Sequence, residues 1–371
     1  MSWHWNNFMK SGRVFGLSAF FGVIIILMAI RVIFFKGPMA PVTSLPPRNL
    51  VDMHCHTAGF GAGGSGARVS ESLRNSWKFG LYLKIFGTSK AEVEEKGDGI
   101  VMDVIVRLIN ESEFVDDVVI LAMDAPYDTA GELDKKAIEV FVPNRFVGEE
   151  VKSRKGLHFG ASVHPNRKDA LEELEWSKKN GAVFVKWLPN IQGIDPSDER
   201  YRGYYLKMVE LDLPLLTHVG DEDSFSKTDN ALGDPKLLKL ALECGVRIIA
   251  AHVASSGERE GVANIERLLE MMPEFPNLFA DLSTLTQANR CKYFPQVLND
   301  ERLTGRLMYG TDYPLTNTLM VTALQFPLRL TCRQMWDIVR TKNSWDRDVK
   351  LKAALGCSAE VFELSRGFLK L

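Results

Sequence analysis

Cysteine is sparse in this chain. There are five in 371 residues, Cys55, Cys244, Cys291, Cys332 and Cys357, and no two share CxxC spacing. Their odd number and wide spacing argue against a disulfide framework and against a cysteine-ligated metal cluster. An excess of one charge is also lacking. A formal net charge of −2 and a pI near 6.4 give no reason to expect nucleic acid. The glycines between Gly59 and Gly66 are not followed by Lys-Ser or Lys-Thr, so they do not read as a phosphate-cradling loop. Histidine is scarce too, at seven residues, which makes the position of each informative. What remains, 46% hydrophobic and 25% charged, is a globular composition with material for a large core.

One long apolar run is present, at residues 14–35, broken only by Arg31. As a helix it would be about 33 Å long, enough to cross a bilayer core. Arg31 lies near its end, where it could snorkel to the headgroups. A cleaved signal peptide is the rival, but Pro38-Met39-Ala40 is a poor cleavage site. The expectation is a single-pass membrane protein held by an uncleaved N-terminal anchor. Lys10 and Arg13 before the run balance Lys36 and Arg48 after it, so the orientation stays undetermined. The expected organisation is a tail and anchor at residues 1–36, a linker with four prolines at 37–48, and a catalytic unit at 49–371.

Beyond the linker, short apolar segments alternate with amphipathic ones. The strand candidates span residues 50–54, 118–123, 157–163, 182–187, 215–218, 246–252, 278–282 and 307–310. Eight buried strands with helices between them predict an α/β fold, a (β/α)8 TIM barrel, preceded by the transmembrane helix. Residues 57–98 are too long for an ordinary loop after the first strand. Their aromatics, among them Trp77, Phe79, Tyr82 and Phe86, suggest a lid.

The chemistry gathers at the C-terminal strand ends, where barrel enzymes carry it. The first strand ends in His54-Cys55-His56. Side chains at i and i+2 of a strand point the same way, about 6.5 to 7 Å apart along it, so two imidazoles can share one metal ion. Strand four carries Lys186 inside an apolar run, strands five and six end in His218 and His252, and strand eight leads to Asp312. Each residue alone has a bland explanation: a hydrogen-bonded histidine, a lysine reaching solvent, an aspartate starting a turn. Together, in strand order, they point to a metal centre. Asp124 and His164, at the ends of strands two and three, are candidates to bind substrate, with Trp187 as an apolar wall. Asp281 and Ser283 on strand seven are weaker candidates.

With these residues in place, the chain resembles the amidohydrolase superfamily, and most closely its amidohydrolase-2 branch, which also includes decarboxylases. The resemblance covers about residues 49–366. It implies metal ligation by His54, His56, Lys186, His218, His252 and Asp312, with Lys186 carbamylated where it bridges two ions. It also implies that Asp312 moves the proton of the attacking water and that His252 either binds a second ion or donates to the substrate. Imidazole and carboxylate donors suit zinc first, then manganese or iron, as one ion or two. The expected activity is a membrane-anchored hydrolase using metal-activated water on an amide, ester or lactone carbonyl. A non-oxidative carboxylic acid decarboxylase is the alternative, and a non-catalytic membrane-tethered binding module is the third reading. The expected partners are a small-molecule substrate and membrane lipid at the N-terminal helix.

Overall fold

The apolar segments pair into one parallel eight-stranded sheet whose strand order follows the sequence. Its strands are β1 (Leu50–His56), β2 (Val115–Leu121), β3 (Leu157–Ala161), β4 (Ala182–Trp187), β5 (Leu215–Thr217), β6 (Ile248–Ala250), β7 (Leu278–Asp281) and β8 (Leu307–Met308). This is a computed structural model describing residues 48–371 except 319, together with residues 22, 23, 26, 45 and 46. Each expected strand segment overlaps one observed strand, with β1 running two residues further and β2 starting three residues earlier than expected. The sheet curls into a TIM-barrel-like α/β fold. Its two edges meet where Cys55 forms a parallel bridge with Tyr313. Asp312 N donates to His54 O at 2.8 Å there, and His56 N to Tyr313 O at 2.9 Å.

Two apolar layers hold this sheet. Val51, Met53, Val119, Leu121, Phe184, Leu216, Ile249 and Met308 form one cluster inside the curl, with Leu369 of the last helix packed into it. The larger cluster lies between sheet and helices and includes Leu50, Cys55, Val118 and Ile120. Strand alternation explains the division, except along β1. There Val51 and Met53 belong to the inner cluster and Cys55 to the outer one, across an even step. A register shift between Asp52 and Cys55 makes this change of face. An irregularity of this kind re-aims side chains. Here it brings His54 and His56 to the mouth.

Residues 57–98 are folded. Arg68–Val69 pairs antiparallel with Val140–Phe141. Helices α1 (Trp77–Ile85) and α2 (Lys90–Lys96) follow. Phe60, Phe79, Leu83 and Val93 form a separate small core in this segment. The Asp98 carboxylate ties the glycine-rich stretch down, accepting from Phe60 N at 3.1 Å, Gly61 N at 2.9 Å and the Ser65 hydroxyl.

The expectation of a membrane protein is corrected here. Among the described residues, no helix is long and apolar enough to cross a membrane. The longest, α3 (Ile100–Asn110), α4 (Ser344–Ala354) and α5 (Ala359–Leu369), have 11 residues each. That is about 17 Å, against roughly 30 Å for a bilayer core. Apart from residues 22, 23 and 26, the apolar run at 14–35 lies outside the described residues, and so does most of the expected linker. The structure therefore gives neither a membrane location nor a lipid partner.

Candidate metal centre

His54 sits at the end of β1, fully buried. Its Nδ1 lies 2.8 Å from Asp281 Oδ2, at the end of β7. His252 follows β6, with Nδ1 2.7 Å from Ser283 Oγ, and that hydroxyl donates to Asp281 Oδ1. Hydrogen positions follow from this network. Each imidazole carries its proton on Nδ1, which leaves Nε2 as a lone pair facing inward. Fixing the tautomer from behind is how carboxylates prepare histidines for metals. Burial, with the nearby Lys186 charge, pushes His54 down, and burial pushes His252 well down, so both rings are neutral at pH 7.

Asp312 completes the cluster. Its Oδ1 lies 3.0 Å from His56 Nε2 and 3.4 Å from His54 Nε2, and its Oδ2 lies 3.9 Å from His252 Nε2. Burial opposes its ionisation, but the surrounding imidazoles outweigh burial and hold its carboxyl well below the usual range. Two groups of donors converge within 4.8 Å: His54, His56 and Asp312, and His54, His252 and Asp281. Donors about 2.0 to 2.2 Å from a shared ion are themselves about 3.0 to 3.5 Å apart, as Asp312 Oδ1 is from His54 Nε2 and from His56 Nε2. His54 Nε2 is buried without a hydrogen-bond partner, which is the state of an unused ligand atom. The residues fit a divalent ion.

His218 belongs to neither donor group. Its Nδ1 lies 3.6 Å from Glu222 Oε2, too far for a hydrogen bond, and its Nε2 is buried without a partner. Lys186 is 1% exposed. Burial lowers its amine to about 8, with Asp312, Asp281 and Glu222 opposing that fall. His56, Lys186, His218, Glu222, His252 and Asp312 all line one pocket of about 430 Å³. Phe79, Tyr82, Leu83 and Phe86 of the 57–98 segment form its apolar wall, with Leu188, Phe225 and Leu315 also lining it.

Local backbone conformation aims several of these side chains. His252, Val253, Ala254, Thr284 and Asp312 have φ between +50° and +60°, unusual for residues other than glycine. Such conformations cost about 1 to 3 kcal/mol each and collect at working sites. Gly310 makes room for His54, since a Cβ there would stand 2.9 Å from the His54 Cβ.

Asp124, His164 and Trp187 do not line this pocket. The Asp124 carboxylate takes His164 N at 2.9 Å and Arg167 at 3.3 Å, tying two loops together. Burial pushes its carboxyl up to about 6, against the pull of Arg167. His164 is held by Gln192 O at 3.0 Å and Asn166 N at 3.1 Å. Trp187 alternates with Lys186 and therefore faces outward. There it donates to Val163 O at 2.8 Å and packs on Tyr204 and Tyr205.

Sequence reasoning missed Asp52, Glu222 and Arg290. Asp52 accepts from His54 N at 3.0 Å, Thr311 N at 2.9 Å, Thr311 Oγ1 at 2.5 Å and Trp345 Nε1 at 2.7 Å, and so clips β1 to the segment after β8. The available signal was an acid on the same strand two residues before the first histidine. Nothing local marked Glu222 or Arg290.

A family model described as Amidohydrolase matches residues 51–320. No curated protein matches the sequence. Among solved structures, an uncharacterized TIM-barrel protein from Bordetella bronchiseptica is 13% identical at a TM-score of 0.50, over 83% of this chain and 99% of that one. Dihydroorotase from Campylobacter jejuni is 13% identical at 0.44, covering 89% and 86%. The 5-carboxyvanillate decarboxylase of Sphingomonas paucimobilis is 10% identical at 0.41, covering 85% and 99%. At such identities the likeness concerns the fold alone.

Proposed function

The chain belongs to the amidohydrolase family, and from that premise we propose a metal-dependent hydrolase of a small amide, ester or lactone. The catalytic unit is a (β/α)8 barrel over residues 49–371, with residues 57–98 as its lid. The observation that carries this reading is the convergence of His54, His56 and Asp312 within 4.8 Å, with Asp312 Oδ1 3.4 Å from His54 Nε2 and 3.0 Å from His56 Nε2, beside an unpartnered His54 nitrogen. Those three residues would hold one divalent ion, zinc first, with His252 beside it. When bound, that ion supplies a Lewis acid that lowers the pKa of water toward 7 and polarises a carbonyl.

The chain's own groups do the rest. Asp312 is ionised and accepts the proton of the attacking water at Oδ2, the oxygen nearer His252. It then returns that proton to the leaving group. The neutral His218 offers Nε2 toward the substrate. The lid aromatics exclude bulk water. In this reading Lys186 is an unmodified amine, because His218, which a second ion would need, stands outside both donor groups.

That same one-ion arrangement favours a second reading, non-oxidative decarboxylation, in which the carbon that loses carbon dioxide takes its proton from water relayed through Asp312. Two measurements decide. Metal analysis of the purified protein should return one equivalent of a divalent ion, and a metal-free protein that takes up none refutes both enzymes. With a turnover substrate in hand, oxygen label from oxygen-18-enriched water should enter the product. Carbon dioxide release without that label selects the decarboxylase.

A further inference from the structure

We infer that residues 221–229 form a flap over the pocket, held shut by Glu139, and that entry to the pocket runs through the opening of this latch. The inference goes beyond the proposed reaction and holds for either chemistry. The loop follows β5 and supplies Glu222, Asp223, Ser224, Phe225 and Ser226 to the pocket wall. Its base is pinned. Gly220 N donates to Gly233 O at 2.8 Å, and the close approach of the two backbones leaves no room for a Cβ on Gly233. Asn190 Nδ2 donates to Gly220 O at 3.0 Å and to Asn230 Oδ1 at 2.9 Å, and that same Asn230 oxygen accepts from Glu222 N at 2.9 Å. Arg259 pairs with Asp221 at 2.7 Å. A compact surface loop with close, fixed ends is an Ω-loop, a frequent carrier of function.

The tip is held differently. Asp223, Ser224 and residues 226–229 are exposed. Among the described residues, no backbone–backbone hydrogen bond engages residues 222–228. The half-buried Phe225 packs inward on the core. The other attachments cross the mouth. Ser226 N donates to Glu139 Oε1 at 3.0 Å and to Oε2 at 3.1 Å, and the Ser226 hydroxyl donates to the same carboxylate. Lys227 Nζ donates to Lys136 O at 2.6 Å. A segment with few buried apolar contacts and few backbone bonds opens at low cost.

Glu139 stands where both walls of the mouth can be tied. It precedes the short strand Val140–Phe141, whose partner Arg68–Val69 belongs to the 57–98 segment. Its carbonyl accepts from Ser70 N at 2.8 Å while its carboxylate accepts from Ser226. Glu139, Val69 and Ser70 all line the pocket. One residue thus joins the flap to the opposite wall. Release of its carboxylate frees Ser224, Phe225 and Ser226 from the mouth. Glu222 stays behind, because its backbone is tied to Asn230 at the base, and it keeps its place 3.6 Å from His218. Access and chemistry therefore rest on different residues, and Glu139 is a positioning residue.

Two measurements on the full chain test this, with Glu139→Ala against wild type. Hydrogen exchange of the metal-free protein reads the latch, in peptides spanning residues 222–230. Exchange of the Ser226 amide is expected to quicken about tenfold, the scale of one hydrogen bond to a charged group, with β4 to β6 unchanged. Glu139→Gln keeps an acceptor for that amide and should restore most of the protection. Zinc then reads the gate, by stopped-flow uptake and by release to an excess of chelator. Both rates should rise severalfold by the same factor with Kd unchanged, because a gate lowers the barrier without touching the ion. Unaltered exchange in Glu139→Ala overturns the proposal, and so do unaltered zinc rates. A changed Kd with one rate constant overturns it too, since Glu139 would then shape the site and not its entrance. A wild type that takes up no zinc sinks the metal-dependent reading and not the flap, which exchange in the metal-free protein then decides.

Discussion

At the scale of single residues, position relative to neighbours separates working groups from structural ones. His56 is the least buried of the cluster's histidines and has no carboxylate behind it, so removing it should disturb the fold least. His56→Ala is expected to lose at least tenfold in zinc affinity with an unchanged melting temperature, read by chelator competition and calorimetry. Asp312→Asn should retain the ion while turnover falls about 10² or more, as when a general base is removed. An unchanged rate and pH profile would make Asp312 structural. His164 shows the contrasting case. Both of its ring nitrogens are used in the neutral form, and burial holds it at about 4, below its ordinary 6.5. Because the folded value is depressed, its contribution is complete above pH 6.5 and lost as pH falls toward 4. Urea denaturation should therefore show wild type losing up to about 3 kcal/mol more than His164→Gln across that window. Parallel curves for the two proteins would exclude the assignment.

At the scale of elements, the 57–98 segment stands out because its order rests on few groups. Its small core has four residues, and one carboxylate, Asp98, gathers its glycine-rich start. The glycine at 59 is required for that contact, since a Cβ there would stand 2.6 Å from Asp98 Oδ2. Asp98→Ala should leave three donors without their acceptor and loosen residues 59–66 while the sheet stays intact. Hydrogen exchange followed by mass spectrometry is expected to speed up there by tenfold or more, with protection of β2 to β6 unchanged. Unaltered protection at 59–66 would show that the small apolar core, and not Asp98, orders the segment.

At the scale of the whole molecule, the seam between β1 and β8 is the place to test. It lacks a regular ladder and depends on the Cys55–Tyr313 bridge and on Asp52. Trp345 on α4 reaches that buried carboxylate from outside the sheet and stacks on Tyr313, with ring centroids 4.7 Å apart. Trp345→Phe keeps an aromatic ring beside Tyr313 and removes the indole donor together with part of the buried ring volume. A buried carboxylate deprived of one hydrogen bond should cost about 1 to 3 kcal/mol. The expected readout is a lower urea midpoint with the same slope, and an unchanged midpoint would show that the seam closes without this bond.

The sequence by itself determined the eight strands, their order and the identity of the cluster at their ends. Those features are local: an apolar run of a few residues makes a buried strand, and the next polar residue falls at its mouth. His54, His56, His218, His252 and Asp312 could be read in that way. Direction and partnership could not, because they depend on register and on contacts far apart in the chain. His54 meets Asp281 across 227 residues, and Trp345 meets Asp52 across 293. The shift in β1 that turns its histidines inward is set by pairing with β2, and no pattern within β1 announces it. Asp124, His164 and Trp187 stand at strand ends or within a strand, yet bonds to neighbouring loops and strand alternation turn them away from the pocket. A side chain's function follows its direction, and only the assembled sheet decides which way each strand end points.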